Sequence, residues 1–265
     1  MLICCGLIWH SGWFSEIAQP LCDRGIEVVS LDNLSCGRSD DIDGVRGLVR
    51  DIRDHVDDLV AALINMRESL PKNAPLFVIG ESSGGVLACM MALRPEISNL
   101  IEGWILCAPA ISVSEELLPP PLVQKAMKFV AKVLPKLPVP GEDISGETWD
   151  SAFGDGISAD IARKDEHVLY DVPVCIATAS AMLRAMEDIE SSLNERKLFM
   201  RRLLVLHNRS DRRTNFEGSE RLVERVVTER GAALDDPGGT AHQLFQEKPE
   251  VTKMVVNRIL EFVGI

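Results

Sequence analysis

An apolar run, Leu76-Phe77-Val78-Ile79, leads straight into Gly80-Glu81-Ser82-Ser83-Gly84-Gly85 and on into Val86-Leu87-Ala88-Cys89-Met90-Met91-Ala92-Leu93. No other stretch restricts the fold as tightly. A G-x-S-x-G between a buried strand and a buried helix predicts a nucleophile elbow, a strained turn that lifts the Ser82 hydroxyl above a sheet. A Cβ at Gly80 or Gly84 is expected to collide across so sharp a turn, and Gly85 to let the helix pack closely on its strand. The pentapeptide alone arises by chance in roughly one chain in ten of this size. Its weight therefore comes from the strand and helix beside it.

Apolar runs alternate with helical patterns along most of the chain, which predicts parallel strands with crossover helices and an α/β fold. Strands are expected at 2–9, 26–31, 76–79, 102–108, 202–207 and, more weakly, 232–235. Helices are expected at 14–24, 44–69, 84–94 and 216–230. A candidate functional residue follows several strands: His10, Asp32, Ser82 and Asp211. Ligands of open α/β sheets bind at the carboxyl ends of the strands, so this placement supports the serine motif independently.

Between 111 and 198 the rhythm breaks. Prolines come first (Pro119, Pro120, Pro121, Pro135, Pro138, Pro140), then helical patterns with no clear strand. Val123 to Leu134 carries an apolar stripe with lysines on one side, and Val174 to Met186 is apolar and bears methionines. The expected organisation is a core of 1–110 and 199–265 with 111–198 inserted as a helical cap. Such helices either wall an acyl-chain pocket or pack a small core of their own.

With 265 residues, 46% of them hydrophobic, the chain can bury a large core. Its net charge of -12 argues against nucleic acid as a partner and against simple electrostatic docking on anionic lipid. The seven cysteines form no C-x-x-C pair and fall mostly in apolar runs. Core packing in a reducing, cytoplasmic setting is the expectation. Leu2 to Trp9 is too short to span a bilayer and reads as a buried strand.

A serine hydroxyl needs a base, and the base needs an orienting acid. Of the five histidines, His242 is the candidate base, lying in a loop after the last strand and before a closing helix over 249–263. His207 ends a strand and is expected to be packed behind the site; His55 and His167 are expected to be solvated. Asp211 is the candidate acid, with Asp32, Asp235 and Asp236 as rivals and a turn or helix-cap role as its structural alternative, one that Thr214 could fill equally well. Two N–H donors must face the oxyanion. Ser83 is expected to supply one and Gly12, in the loop after the first strand, the other.

These residues resemble the monoacylglycerol lipase branch of the α/β-hydrolase family, the serine aminopeptidase S33 type, which also holds lysophospholipase-like and caffeoyl-shikimate-esterase-like members. His10-Ser11-Gly12 stands where the family has H-G-x-G, and Asp32 to Ser39 resembles its D-x-x-G-x-G-x-S turn. Gly80 to Gly85 matches G-x-S-x-G-G, and Leu204-Val205-Leu206-His207 with Asp211 is similar to the acid-bearing strand. Ala241-His242-Gln243-Leu244-Phe245-Gln246-Glu247-Lys248-Pro249-Glu250 is similar to the histidine loop, with its E-x-P-E.

The resemblance implies hydrolysis of a lipid-like carboxylic ester, monoacylglycerol foremost, through a Ser82 acyl-enzyme, with no cofactor and no metal. Two strands normally precede the first one seen here, so 26–31 is expected at the sheet edge. An apolar cap is compatible with transient contact with a membrane or lipid droplet, and equally with a lid facing its own pocket. Two alternatives remain: a hydrolase-fold binding protein with little or no activity, and an esterase for lysophospholipid or hydroxycinnamoyl esters. The elbow argues against dehalogenase chemistry, because it carries serine where an aspartate nucleophile is needed.

Overall fold

Among the described residues, mostly continuous apolar runs build a six-stranded, wholly parallel sheet in the order β2-β1-β3-β4-β5-β6. Its strands are β1 (Leu2–Cys4), β2 (Val29–Ser30), β3 (Leu76–Glu81), β4 (Ile101–Cys107), β5 (Leu203–Leu206) and β6 (Ala232–Asp235). The computed structural model describes residues 1–112, 120–139, 152–154 and 156–265. The parts of the expected cap at 113–119, 140–151 and 155 lie outside the described residues.

Side chains alternate across the strands, so the sheet feeds two cores. Leu2, Val78, Trp104, Leu106 and Val205 face one core cluster, and Ile3, Ile79, Ile105 and Leu204 face the other. The first is covered by α2 (Ile52–Ser69), α3 (Ser83–Ala92), α7 (Ile176–Asn194) and α8 (Phe216–Arg225). The second is covered by α1 (Ser15–Cys22) and α9 (Pro249–Val263). The short α4 (Pro95–Ser98) leads into β4, and α5 (Pro121–Val133) and α6 (Gly156–Lys164) lie between β4 and β5 in sequence.

Chain order reverses at β1 and β3, because β2 lies on the far side of β1. A crevice for ligands forms at such a switch point. The β3 elbow and the loop after β1 meet there.

Four expectations need correction. The first strand ends at Cys4, not at Trp9; residues 5–9 curl over the elbow, and Ser11–Phe14 form a 3-10 turn. The helix expected from 44 starts at Ile52, because Gly44 and Gly47 take positive φ in a loop that buries Leu48 against Cys175 and Ala177. The helix expected to run to 230 stops at Arg225, where Val227 N–H turns to the Leu198 carbonyl. His55 is buried rather than solvated, with Nε2 hydrogen-bonded to the Leu34 carbonyl (3.1 Å).

The expected edge position of the second strand is found among the described residues. β2 is two residues long and half-buried, so it offers little ladder to another chain. Helix α7 has two duties. Ala181, Met182, Ala185, Ile189 and Leu193 belong to the first core cluster, while Met182 and Met186, with Val174 just before the helix, border the crevice above Ser82.

Candidate active site

The elbow has the backbone its sequence demands. Ser82 sits at φ 54°, ψ −121°, directly before α3, in a region that non-glycine residues adopt only where surrounding contacts enforce it. Those contacts come from β4 and the segment after it: Ser82 N–H donates to the Cys107 carbonyl (2.9 Å), and Ala110 N–H donates to the Ser82 carbonyl (2.9 Å). A Cβ on Gly80 would strike the Gly84 carbonyl across the turn. One on Gly84 would strike the Cys4 carbonyl of β1, so that glycine admits the neighbouring strand. One on Gly85 would meet Pro109 at 2.6 Å, so this glycine admits the segment after β4.

Ser82, His242 and Asp211 form a continuous hydrogen-bond chain. His242 Nε2 lies 2.8 Å from Ser82 Oγ, and Nδ1 lies 2.7 Å from Asp211 Oδ2. The ionised carboxylate can only accept, so Nδ1 carries the proton and Nε2 is left to accept the serine hydroxyl's. Asp211 also accepts from His207 Nε2 (3.2 Å), the Thr214 hydroxyl (2.8 Å), and the backbone amides of Arg213 (2.7 Å) and Thr214 (3.2 Å). Burial works against its charge, but the hydrogen bonds from His207 and His242 and the nearby His242 outweigh it. Its carboxyl is held well below the usual range.

His207 itself is fully buried, with Nδ1 on Ser219 Oγ at 2.8 Å. It supports the acid from behind, as expected. Asp211 does not cap α8, whose N-cap is Asn215. Of the rivals, Asp235 is paired with Arg258 at 2.5 Å, and Asp32 accepts from the amides of Ser11 (2.6 Å) and Arg38 (2.7 Å). Asp236 accepts from Gly238 N–H (2.9 Å).

Gly12 is not at the site. Its N–H donates to His10 Nδ1 (3.1 Å) in the turn one step beyond the crevice, where His10 Nε2 also meets Asp165 (2.9 Å). The loop that faces Ser82 is Gly6 to Trp9. Leu7, Ile8 and Trp9 border a cavity of about 210 Å³ together with Ser82, Ser83 and His242. Sequence reasoning missed Leu7 because an apolar loop continuing an apolar strand looks like more strand. Gly6 was the available signal, since an isolated glycine in such a run marks a break or a close approach. Ser83, the other expected donor, does border the cavity, at the first position of α3.

Two buried carboxylates flank this chain. Glu247 accepts from the amides of Thr240 (2.9 Å) and Ala241 (2.6 Å), which holds the histidine loop in shape. Glu81, fully buried beside the serine, meets the Gln243 amide nitrogen at 2.8 Å when that amide also accepts from Trp9 Nε1 at 3.2 Å. Burial pushes the Glu81 carboxyl up to about 8, against the lowering effect of the Phe245 and Leu244 amides. Burial thus favours its protonated form, and the side chain ties the elbow, the histidine loop and the loop after β1 together.

A larger cavity of about 630 Å³ lies among α1, α6 and α9, bordered by residues such as Glu16, Ile157 and Lys253. It touches none of Ser82, Asp211 or His242, so the smaller cavity is the one placed for chemistry. No group of His, Cys, Asp and Glu suited to a metal ion occurs among the described residues.

A parallel sheet with an elbow serine, an acid after β5 and a histidine after β6 defines an α/β hydrolase. Solved structures agree on the fold. The chain superposes on the Paleococcus ferrophilus monoacylglycerol lipase with a TM-score of 0.80 at 20% identity, covering 99% of this chain and 92% of that one. A soluble variant of the Saccharomyces cerevisiae monoglyceride lipase gives 0.80 at 18%, covering 99% and 85%. The chain belongs to the serine aminopeptidase S33 family, whose profile matches residues 1–249. It is similar to the monoacylglycerol lipase of Mycolicibacterium smegmatis, 28% identical over 263 residues (97% of this chain, 85% of that protein). Human monoglyceride lipase is 27% identical over 257 residues, with 96% and 78% covered.

Proposed function

We propose that the protein is a serine hydrolase of carboxylic esters of lipid-like alcohols, with monoacylglycerol as the foremost substrate. The observation that carries this is the Ser82–His242–Asp211 chain opening into an apolar cavity bordered by Val174, Met182 and Met186. As Ser82 Oγ bonds to the ester carbonyl carbon, His242 Nε2 takes its proton and Asp211 stabilises the imidazolium. The carbonyl π pair moves onto oxygen, where donors at the start of α3, beside the Gly6–Trp9 loop, meet it. Collapse expels the alcohol, which takes the proton back from His242. Water then repeats the cycle on the acyl-enzyme. Relatives named as monoacylglycerol and monoglyceride lipases support that substrate class.

The same reading assigns 111–198 as the cap and puts the protein in the cytoplasm, in transient contact with lipid surfaces. On α5, Leu122, Phe129 and Val133 share one exposed stripe, with Lys125 and Lys132 alongside it. No helix among the described residues is long and apolar enough to cross a membrane.

Ser82→Ala is expected to abolish turnover of a p-nitrophenyl ester and labelling by a fluorophosphonate, with the fold intact by circular dichroism. A wild-type protein that is folded yet neither turns over nor labels would instead favour an apolar-ligand binding role. A panel of 1- and 2-monoacylglycerols, lysophospholipid and a hydroxycinnamoyl ester then ranks substrates. Changing both Leu122 and Phe129 to Ser should cut activity on vesicle-borne monoacylglycerol by about tenfold and leave a soluble ester unaffected. Equal losses on both substrates would remove the surface contact from the reading.

A further inference from the structure

We propose that the Ser83 side-chain hydroxyl is itself an oxyanion donor, and that the Leu7 amide acts through it rather than on the substrate directly. This deepens the hydrolase reading and rests on it. Leu7 N–H, the inward-facing amide of the loop after β1, donates to Ser83 Oγ at 2.6 Å. That amide is the backbone donor the loop would otherwise present beside Ser82, and the hydroxyl has captured it.

The loop is not free to take its amide elsewhere. The Leu7 carbonyl accepts from Cys36 Sγ (2.9 Å), the Cys5 carbonyl from Asn33 Nδ2 (3.1 Å), and the Ile8 carbonyl from the Leu169 amide (3.0 Å). Gly6 packs closely as well: a Cβ there would meet Trp9 Cδ1 at 2.8 Å and Ser83 Oγ at 3.5 Å. Leu7 and Ser83 are thus held together from both sides.

A hydroxyl that accepts one hydrogen bond still has its proton to give. No acceptor takes the Ser83 proton among the described residues, and Ser83 borders the same cavity as Ser82. Its backbone N–H, in the first turn of α3, is one of the donors a helix start leaves without an intrahelical partner. One residue therefore offers the developing oxyanion two donors, N–H and O–H. The Leu7 amide polarises the second, since a hydroxyl that accepts becomes a stronger donor. No proton is transferred in this step; the serine proton still goes to His242.

The test compares wild type, Ser82→Ala, Ser83→Ala and Ser83→Cys on a soluble p-nitrophenyl ester. Ser83→Ala should lower kcat by about a hundredfold with KM nearly unchanged, the signature of an interaction made only in the transition state. Inhibition by an alkyl boronic acid, whose tetrahedral adduct on Ser82 places an oxygen at the same spot, should weaken by a similar factor. Affinity for the free product alcohol should stay as it is. Ser83→Cys keeps the shape but offers a weak donor and should lose at least about tenfold, which answers the question if Ser83→Ala does not fold. Unchanged or higher kcat in either folded variant overturns the proposal, because the hydroxyl would then only obstruct the Leu7 amide. Absence of turnover in wild type would sink the hydrolase reading instead. An active wild type with a dead Ser82→Ala and a fully active Ser83→Ala sinks only this one.

Discussion

The two halves of the site are built on opposite terms. On the acid–base side the acid is held by several partners; Asp211 accepts from two histidines, a hydroxyl and two backbone amides. On the oxyanion side the loop is pinned from behind by Cys36, Asn33 and the Leu169 amide, and its inward amide is taken by one serine hydroxyl. The difference shows where this site has support to spare and where it has none. The acid–base half is over-determined and tolerates the loss of a supporting contact, whereas the oxyanion half depends on a single residue.

The largest expected effect breaks the acid–base half at its centre. Asp211→Asn turns an acceptor toward His242 into a donor, reverses the imidazole tautomer and should lower kcat on the order of 10⁴-fold. His207→Ala removes only one donor among several, and a loss near fivefold is expected. Steady-state kinetics on a soluble ester compare the two. Losses of similar size would mean that the carboxylate is poised on His207 and not over-determined.

The smallest effect concerns the tie between the halves. The Glu81 carboxyl, ordinarily near 4.5, is pushed up to about 8 by burial. A raised carboxyl stabilises the fold fully below its ordinary value, where both folded and unfolded chains hold the proton. That stability declines as pH rises from about 4.5 toward 8 and is lost above it, because the unfolded chain ionises first. Asp211, shifted the other way, costs stability only in strong acid. Glu81→Gln should therefore flatten the fall in Tm between pH 5 and 8 and raise Tm at pH 8 by at least about 3 °C. A slope that survives the substitution would place the titrating group elsewhere.

Much of this was legible in the sequence, and the exceptions share a cause. The elbow announced itself because its glycines answer to steric limits within a few residues of one another. His242 and Asp211 followed from their places after strands. Leu7 did not, because the 5–9 segment is apolar for cover, being enclosed by the elbow and by Leu169, and burial looks alike in strand and loop. The segment before α2 misled in the same way: Leu48 and Val49 are buried, yet they belong to a loop. His55 was placed in solvent by its acidic neighbours, when the helix turns it inward to the Leu34 carbonyl. Local signals recovered whatever local geometry dictates. Long-range contacts that follow no known arrangement of strands and loops, such as the Leu7–Ser83 pair, left no trace a single sequence could reveal.

Helix α7 sets a limit on how this protein can change what it accepts. Met182 is both a stone in the sheet's core and a tile on the cavity wall, so no variant can reshape the pocket there without also wagering the fold. One turn along, Met186 is only half-buried and borders the same space. Divergence in acyl preference, natural or engineered, has its open door at Met186 and a bolted one at Met182.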